Sequence, residues 1–138
     1  MLFRSITPFR LEIITPEKTF FDGNTEQIIA RTTVGDVGIL NGHEPYCAAL
    51  GIGQMRVMID GKFRRAATSG GIIKVSKEKT VILVQSCEWA EDIDVARAEH
   101  AKQVAEDRMK AAAGDNEFRL AEAKLKRALN RIDAAHLK

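Results

Sequence analysis

Apolar and polar side chains alternate with a period of two through most of the first two thirds of this chain, and recur at spacings of three and four in the last third. Over residues 9–15, Phe9, Leu11 and Ile13 alternate with Arg10 and Glu12, which predicts a strand with one buried face. Pro16-Glu17-Lys18 reads as a turn, and residues 19–21 and 25–33 read as two further strands separated by the turn-forming triplet Asp22-Gly23-Asn24. Gly35, Gly38, Gly42 and Pro45 then punctuate what reads as a compact loop around the apolar pair Ile39-Leu40. Residues 54–59 and 62–68 alternate on either side of Asp60-Gly61, a strong hairpin signal. Gly70-Gly71 is expected to break the chain before a strand at 72–75, and a strand at 81–85 follows the charged turn at 77–79. About seven to ten short strands with frequent turns describe an antiparallel sandwich or barrel.

Residues 88–98, Glu-Trp-Ala-Glu-Asp-Ile-Asp-Val-Ala-Arg-Ala, mark a change of regime. All three prolines and nine of the ten glycines lie at or before Gly71, whereas the last 52 residues hold no proline, one glycine and thirteen alanines, so helix replaces strand and turn. Asp92 is the expected N-cap, with Asp94 in the first helical turn, where a carboxylate meets orphan amides and the positive end of the dipole. Ala98, Ala101, Ala105, Met109 and Ala112 form a thin apolar stripe; Gly114 is the expected stop and Asp115 or Asn116 the expected cap of a second helix. Phe118, Ala121, Leu125, Ala128, Ile132 and Ala135 form a fuller stripe on that helix. So short a connection makes the two helices antiparallel neighbours. The predicted fold is an all-β antiparallel sandwich or barrel domain over residues 1–87 followed by an α-helical hairpin domain over 88–138. Alanine in place of leucine forfeits about 0.8 kcal/mol per methylene, so the hairpin is expected to be weakly held and able to open.

Charge changes this picture only when it is divided along the chain. The formal total is +2 and aromatic content is 6%, which disfavours a nucleic-acid partner or a base-stacking platform. Residues 88–107 nevertheless carry seven acidic and two basic side chains, and residues 119–138 six basic and two acidic. In an antiparallel hairpin the acidic start of one helix lies beside the basic end of the other and favours the closed form, by about 0 to 1 kcal/mol per exposed pair. Cys47 and Cys87 lack metal-like spacing, and the chain shows no signal-peptide pattern, so buried inert thiols in a reducing cytoplasm are expected. No apolar run approaches the ~18 to 20 residues of a membrane span.

Candidate chemistry is sparse. Leu120, Lys124, Arg127 and Arg131 follow one another at four, three and four on the second helix. Such a row is either a solvated face or an anion site, completed in that case by Arg97 of the first helix with Asp94 beside it, since guanidinium forks suit phosphate. No Gly-rich phosphate loop is present, so side chains would have to hold the anion. His43-Glu44 has no partner at ligand spacing, His100 and His136 read as surface residues, and neither cysteine is spaced as a nucleophile. No catalytic and no metal constellation emerges. One alternative is a small adaptor whose basic second helix binds an acidic partner or nucleic acid; another is an enzyme using His43, Glu44 or Cys47.

Four stretches together closely resemble the epsilon subunit of bacterial F-type ATP synthases: Thr-Pro-Glu-Lys-Thr-Phe-Phe-Asp-Gly (15–23), Gly-Asp-Val-Gly-Ile-Leu-Asn-Gly-His-Glu-Pro (35–45), Ser-Gly-Gly (69–71) and Ile-Asp-Val-Ala-Arg-Ala (93–98). The resemblance runs from about Leu11 to the C-terminus. The chain departs from the family pattern at Asn41, where proline is frequent, at Trp89, where a polar residue is common, and in a hydrophobic segment over residues 1–8 beyond the usual start.

The resemblance implies a non-catalytic subunit of the central stalk, in a complex that synthesises ATP and transports protons, lying peripherally on the cytoplasmic face of the cell membrane. Its implied partners are the gamma subunit and the c-subunit ring, and the catalytic alpha and beta subunits when the hairpin extends to inhibit hydrolysis. No cofactor is required, and ATP is the implied regulatory ligand of the compact hairpin. Carried over residue by residue, Glu88, Ile93 and Asp94 would face the adenosine, and Arg97, Arg127 and Arg131 the phosphates.

Overall fold

Where the sequence alternates, the chain is extended. The computed structural model describes residues 7–137, so most of the N-terminal segment noted above lies outside the described residues. Eight strands come first: β1 (Phe9–Ile14), β2 (Thr19–Thr25), β3 (Gln27–Thr32), β4 (Gly35–Leu40), β5 (Tyr46–Leu50), β6 (Gly53–Ile59), β7 (Lys62–Val75) and β8 (Thr80–Trp89). A single 3-10 turn (Ala90–Asp92) leads into α1 (Val95–Ala111) and α2 (Asp115–Leu137). The strands run β2-β1-β8-β7-β5-β3-β4, with β6 paired to both β3 and β7, and fold over themselves as a sandwich. All pairs are antiparallel except β1 with β8, which run parallel.

Alternation fills the space between the layers. Leu11 and Ile13, Ile28 and Ala30, Met55 and Val57, Ile73 and Val75, and Ile82 and Val84 point inward at every second position and are buried in one core. Asp60 and Gly61 both adopt left-handed backbone (φ 51° and 80°), as a two-residue turn between β6 and β7 requires.

Three turn expectations are corrected by pairing. Asp22-Gly23-Asn24 is not a turn: it lies inside β2, with Gly23 opposite Leu11 and Asn24 opposite Arg10. Arg10 Nε donates to Asp22 Oδ1 at 2.9 Å, so the polar triplet serves as the solvent side of a strand. The loop expected around Ile39-Leu40 is β4, whose Ile39 lies opposite Ile28 and is buried; the loop proper is residues 41–45. Gly70-Gly71 does not break the chain either. There β7 passes from its pairing with β6 to its pairing with β5 while keeping β8 at its other edge. A Cβ on Gly71 would sit 1.9 Å from the carbonyl oxygen of Leu83, so glycine is required by closeness of backbones.

Helix ends also shift. Asp94, not Asp92, caps α1: its carboxylate accepts from Arg97 N–H at 3.0 Å, while Asp92 ends the 3-10 turn. Gly114 does not end α1, which stops at Ala111 with Ala112 as its cap; instead the Gly114 carbonyl accepts from Phe118 N–H at 3.1 Å, opening α2. Glu117 reaches back to accept from Ala113 N–H at 3.2 Å. The two helices lie antiparallel against each other, closed, with α2 against β7, β6 and the 3-10 turn. Ala98 and Ala105 of α1 and Ala121, Ala128 and Ile132 of α2 are buried. A second small cluster, Ala67, Ala90, Ile93, Ala134 and Ala135, joins the hairpin to the sheet.

Candidate functional site

Closing the hairpin onto β7 and β8 leaves a cleft of about 900 Å³, with sheet residues Ala67, Thr68, Ser69 and Ser86, Cys87, Glu88 on one side and the two helices on the other. From α1 come Arg97, His100 and Arg108; Arg97 and Arg108 are eleven residues, about 16 Å, apart along the helix. From α2 come Lys124, Arg127, Asn130 and Arg131. Five permanent cations therefore face two carboxylates, Glu88 and Glu17. Ser69 Oγ and Ser86 Oγ share a hydrogen bond of 2.6 Å across the β7–β8 ladder in its wall.

Arg131 is already engaged. Its Nε and Nη2 both donate to the Glu88 carboxylate, the second bond at 3.4 Å, and the pair is half-buried, linking α2 to the last residues of β8. Beyond it the joint is pinned a second time. Arg64 of β7 lies over the Trp89 ring, 3.9 Å from its centroid, and its Nε donates to Glu91 Oε1 at 2.6 Å. Phe20 and Phe21 complete the aromatic packing around Trp89. Cys87 lies in the cleft wall, and burial, reinforced by the charge of Glu88 and opposed by that of Lys18, pushes its thiol pKa up to about 12.

The structure thus brings together Glu88, Arg97, Arg127 and Arg131. Ile93 and Asp94 are not among the cleft's lining residues: Ile93 is buried in the cluster under α2, and Asp94 is occupied as the helix cap. Arg108, His100 and Asn130 are cleft residues that sequence reasoning missed; Arg108 falls eleven positions after Arg97, and that periodicity was the one available signal. Elsewhere, His43 Nδ1 is engaged at 2.7 Å with the Glu44 carbonyl and its ring packs on Tyr46. Cys47 is exposed, contrary to expectation, because it lies on the outer face of β5. Among the described residues no His, Cys, Asp and Glu side chains gather as metal ligands, and no helix is long and apolar enough to cross a membrane. Chemically the cleft has much to bind an anion with. Its charge and size suit a polyphosphate of small-molecule dimensions.

Comparison with known proteins gives a consistent result. The family model described as ATP synthase, Delta/Epsilon chain, beta-sandwich domain matches residues 8–90, and that described as the long alpha-helix domain of the same chain matches residues 91–136. The ATP synthase epsilon chain of Ruminococcus albus is 52% identical over 131 residues, covering 94% of this chain and 98% of the relative. That of Bacillus velezensis is 43% identical over 126 residues, covering 91% and 96%. Among solved structures, a chain of the Euglena gracilis mitochondrial ATP synthase (OSCP/F1/c-ring, rotational state 1) superposes with a TM-score of 0.79 at 22% identity, covering 95% of this chain and 82% of that one. A chain from the central stalk and c-ring of the Tetrahymena thermophila mitochondrial ATP synthase gives 0.64 at 16%, covering 96% and 99%. These two likenesses concern the fold.

Proposed function

The chain belongs to the Delta/Epsilon chain family of ATP synthase, as an epsilon subunit of bacterial type, and from that premise we propose that its closed helical hairpin is an ATP-responsive brake on the complex. It is a subunit of an enzyme complex and not the catalytic one. In this reading the sandwich joins the gamma subunit and the c-ring in the central stalk, on the cytoplasmic face of the membrane. ATP sits in the cleft between hairpin and sheet, with Arg97, Arg127 and Arg131 toward the phosphates and Glu88 toward the nucleoside end, while Ile93 and Asp94, outside the cleft lining, hold the joint beside it. Scarce ATP releases the hairpin, whose basic second helix then meets the catalytic alpha and beta subunits and inhibits hydrolysis.

The observation that carries this is the convergence of Arg97 from α1 with Arg127 and Arg131 from α2 on one cleft lined jointly by the two helices and the sheet. A ligand held by both helices and the sheet binds the closed form alone, and so stabilises it by RT ln(1 + [L]/Kd), about 2.7 kcal/mol at a hundredfold excess over Kd. The protein's own residues do three things: guanidinium forks bind the anion, the Asp94 cap fixes the start of α1 and hence Arg97, and the alanine-lined contact keeps the alternative open state within reach. The adaptor reading is less well supported, since the formal net charge is only +2 and the acidic residues 88–107 begin the hairpin that carries the basic helix.

Calorimetric titration with ATP tests the reading. Saturable binding to the full chain is expected, lost or weakened at least tenfold in Arg127→Ala, and in Asp94→Ala by loss of the cap. No heat at millimolar ATP would overturn the regulatory site while leaving family membership untouched.

A further inference from the structure

The hairpin meets the sheet mainly through methyl groups, Ala134 and Ala135 of α2 against Ala67 and Ala90 with Ile93 beside them. Such a surface attracts without specifying, because contacts between methyl groups change little when a helix slides or rolls by a fraction of a residue. The arginines of α2 cannot tolerate that freedom. Whether they reach one ligand depends on the height and rotation of the helix to within about an ångström.

A directional contact stands one helical turn before this surface, next to the Glu88–Arg131 pair. The Asn130 side-chain NH2 donates to the carbonyl oxygen of Gly53 at 2.9 Å and to that of Thr68 at 3.4 Å. Gly53 and Thr68 lie opposite one another in the β6–β7 ladder, both are buried, and Thr68 Oγ1 donates to the same Gly53 carbonyl at 3.1 Å. Gly53 is also closely packed against β3, since a Cβ on it would lie 2.7 Å from Cβ and Cγ of Arg31. Asn130 follows Arg127 by three residues and precedes Arg131 by one, so rotation of α2 about this contact moves both cations together.

We propose that Asn130 is a positioning residue: it latches α2 in register on the β6–β7 edge and thereby aims Arg127 and Arg131 into the cleft. The link to ATP rests on the reading of the cleft given above; the latch itself is visible in hairpin docking with or without nucleotide. Removing the latch lowers the fraction of closed hairpin, and the apparent dissociation constant for ATP rises in inverse proportion to that fraction.

The test uses the full chain carrying Asn130→Ala, which deletes the donor, and Asn130→Asp, which keeps the shape but turns a carboxylate toward two carbonyls. Small-angle scattering without nucleotide should show a larger radius of gyration in both, greater for Asn130→Asp. The apparent dissociation constant for ATP should rise about tenfold in Asn130→Ala and further in Asn130→Asp. Saturating ATP should restore the wild-type radius, and thermal loss of the strand signal in circular dichroism should not shift. A side chain that merely packs would instead lower strand stability and would not be rescued by ATP. Wild-type scattering and wild-type titration in both variants would overturn the latch, as would loosening that saturating ATP does not reverse. Should the unaltered chain take up no ATP, the nucleotide reading falls, while the radii of the variants still decide whether the latch exists.

Discussion

At the scale of single residues, the most exposed commitment is the Glu88–Arg131 pair. Each side chain is half-buried, so the pair is partly screened, and Arg131→Ala should cost about 1 to 2 kcal/mol of hairpin docking by leaving a carboxylate with no partner. Chemical denaturation followed through the helical signal reads that cost, and ATP titration of the same variant should show a loss of at least tenfold. Cys87 makes an independent prediction. Its thiol pKa of about 12, against an ordinary value of 9.0, means that the folded chain holds this proton between those limits while the unfolded chain loses it. The unfolded state then binds fewer protons, so stability should fall as pH rises above 9, by of order 1 kcal/mol per pH unit until about 12. Below pH 9 the thiol contributes no slope. Alkylation shows the same environment: exposed Cys47 should label first and Cys87 much more slowly, gaining rate as pH rises or as the hairpin opens.

At the scale of elements, β7 decides how the sheet closes. Gly71→Ala places a methyl group inside backbone contact with Leu83, and it should cost about 3 kcal/mol or more and move the melting temperature down sharply, measurable by circular dichroism. The same glycine shows why sequence reading succeeded and failed where it did. Period-two alternation identified the strands at Phe9, Gln54 and Lys62, and Asp60-Gly61 marked a true hairpin, because those signals are set within a few neighbouring residues. Gly23, Gly38 and Gly71 read as breaks, yet all lie inside strands, and for Gly71 the requirement comes from the β8 backbone that approaches it, which no neighbour in sequence announces. The helical stripes were legible for a related reason: Ala98, Ala105, Ala121 and Ala128 recur at helical spacing and are buried. The row Lys124, Arg127 and Arg131 was equally legible as a row, but that it faces a cleft with Glu88 and Arg108 follows only from docking α2 on β7. Asn130 carried no sequence signal at all, because both of its acceptors are main-chain carbonyls more than sixty residues away.

At the scale of the whole molecule, two kinds of force hold the parts together. The sandwich has a continuous core of large aliphatic side chains, whereas the hairpin is closed by methyl groups, an ion pair and an amide. Raising salt should therefore weaken ATP binding, measured by titration at about 50 and 500 mM, while leaving strand melting almost unchanged, because added ions screen the cleft and not the core. Scattering should likewise show a hairpin that is compact at saturating ATP and more open without it. The geometry of the joint adds a mechanical consequence. Arg64 grips both Trp89 and Glu91, and only Ile93 and Asp94 separate the pinned 3-10 turn from α1. With so little slack, the opening proposed above would turn the hairpin as a stiff lever on a two-residue pivot and not as a float on a tether. The 17 residues of α1 span ~26 Å, so a swing of about 30° carries the far tip roughly 13 Å along a defined arc. In the opening proposed above, a pawl with that travel and so narrow a fulcrum would strike the same place on every stroke.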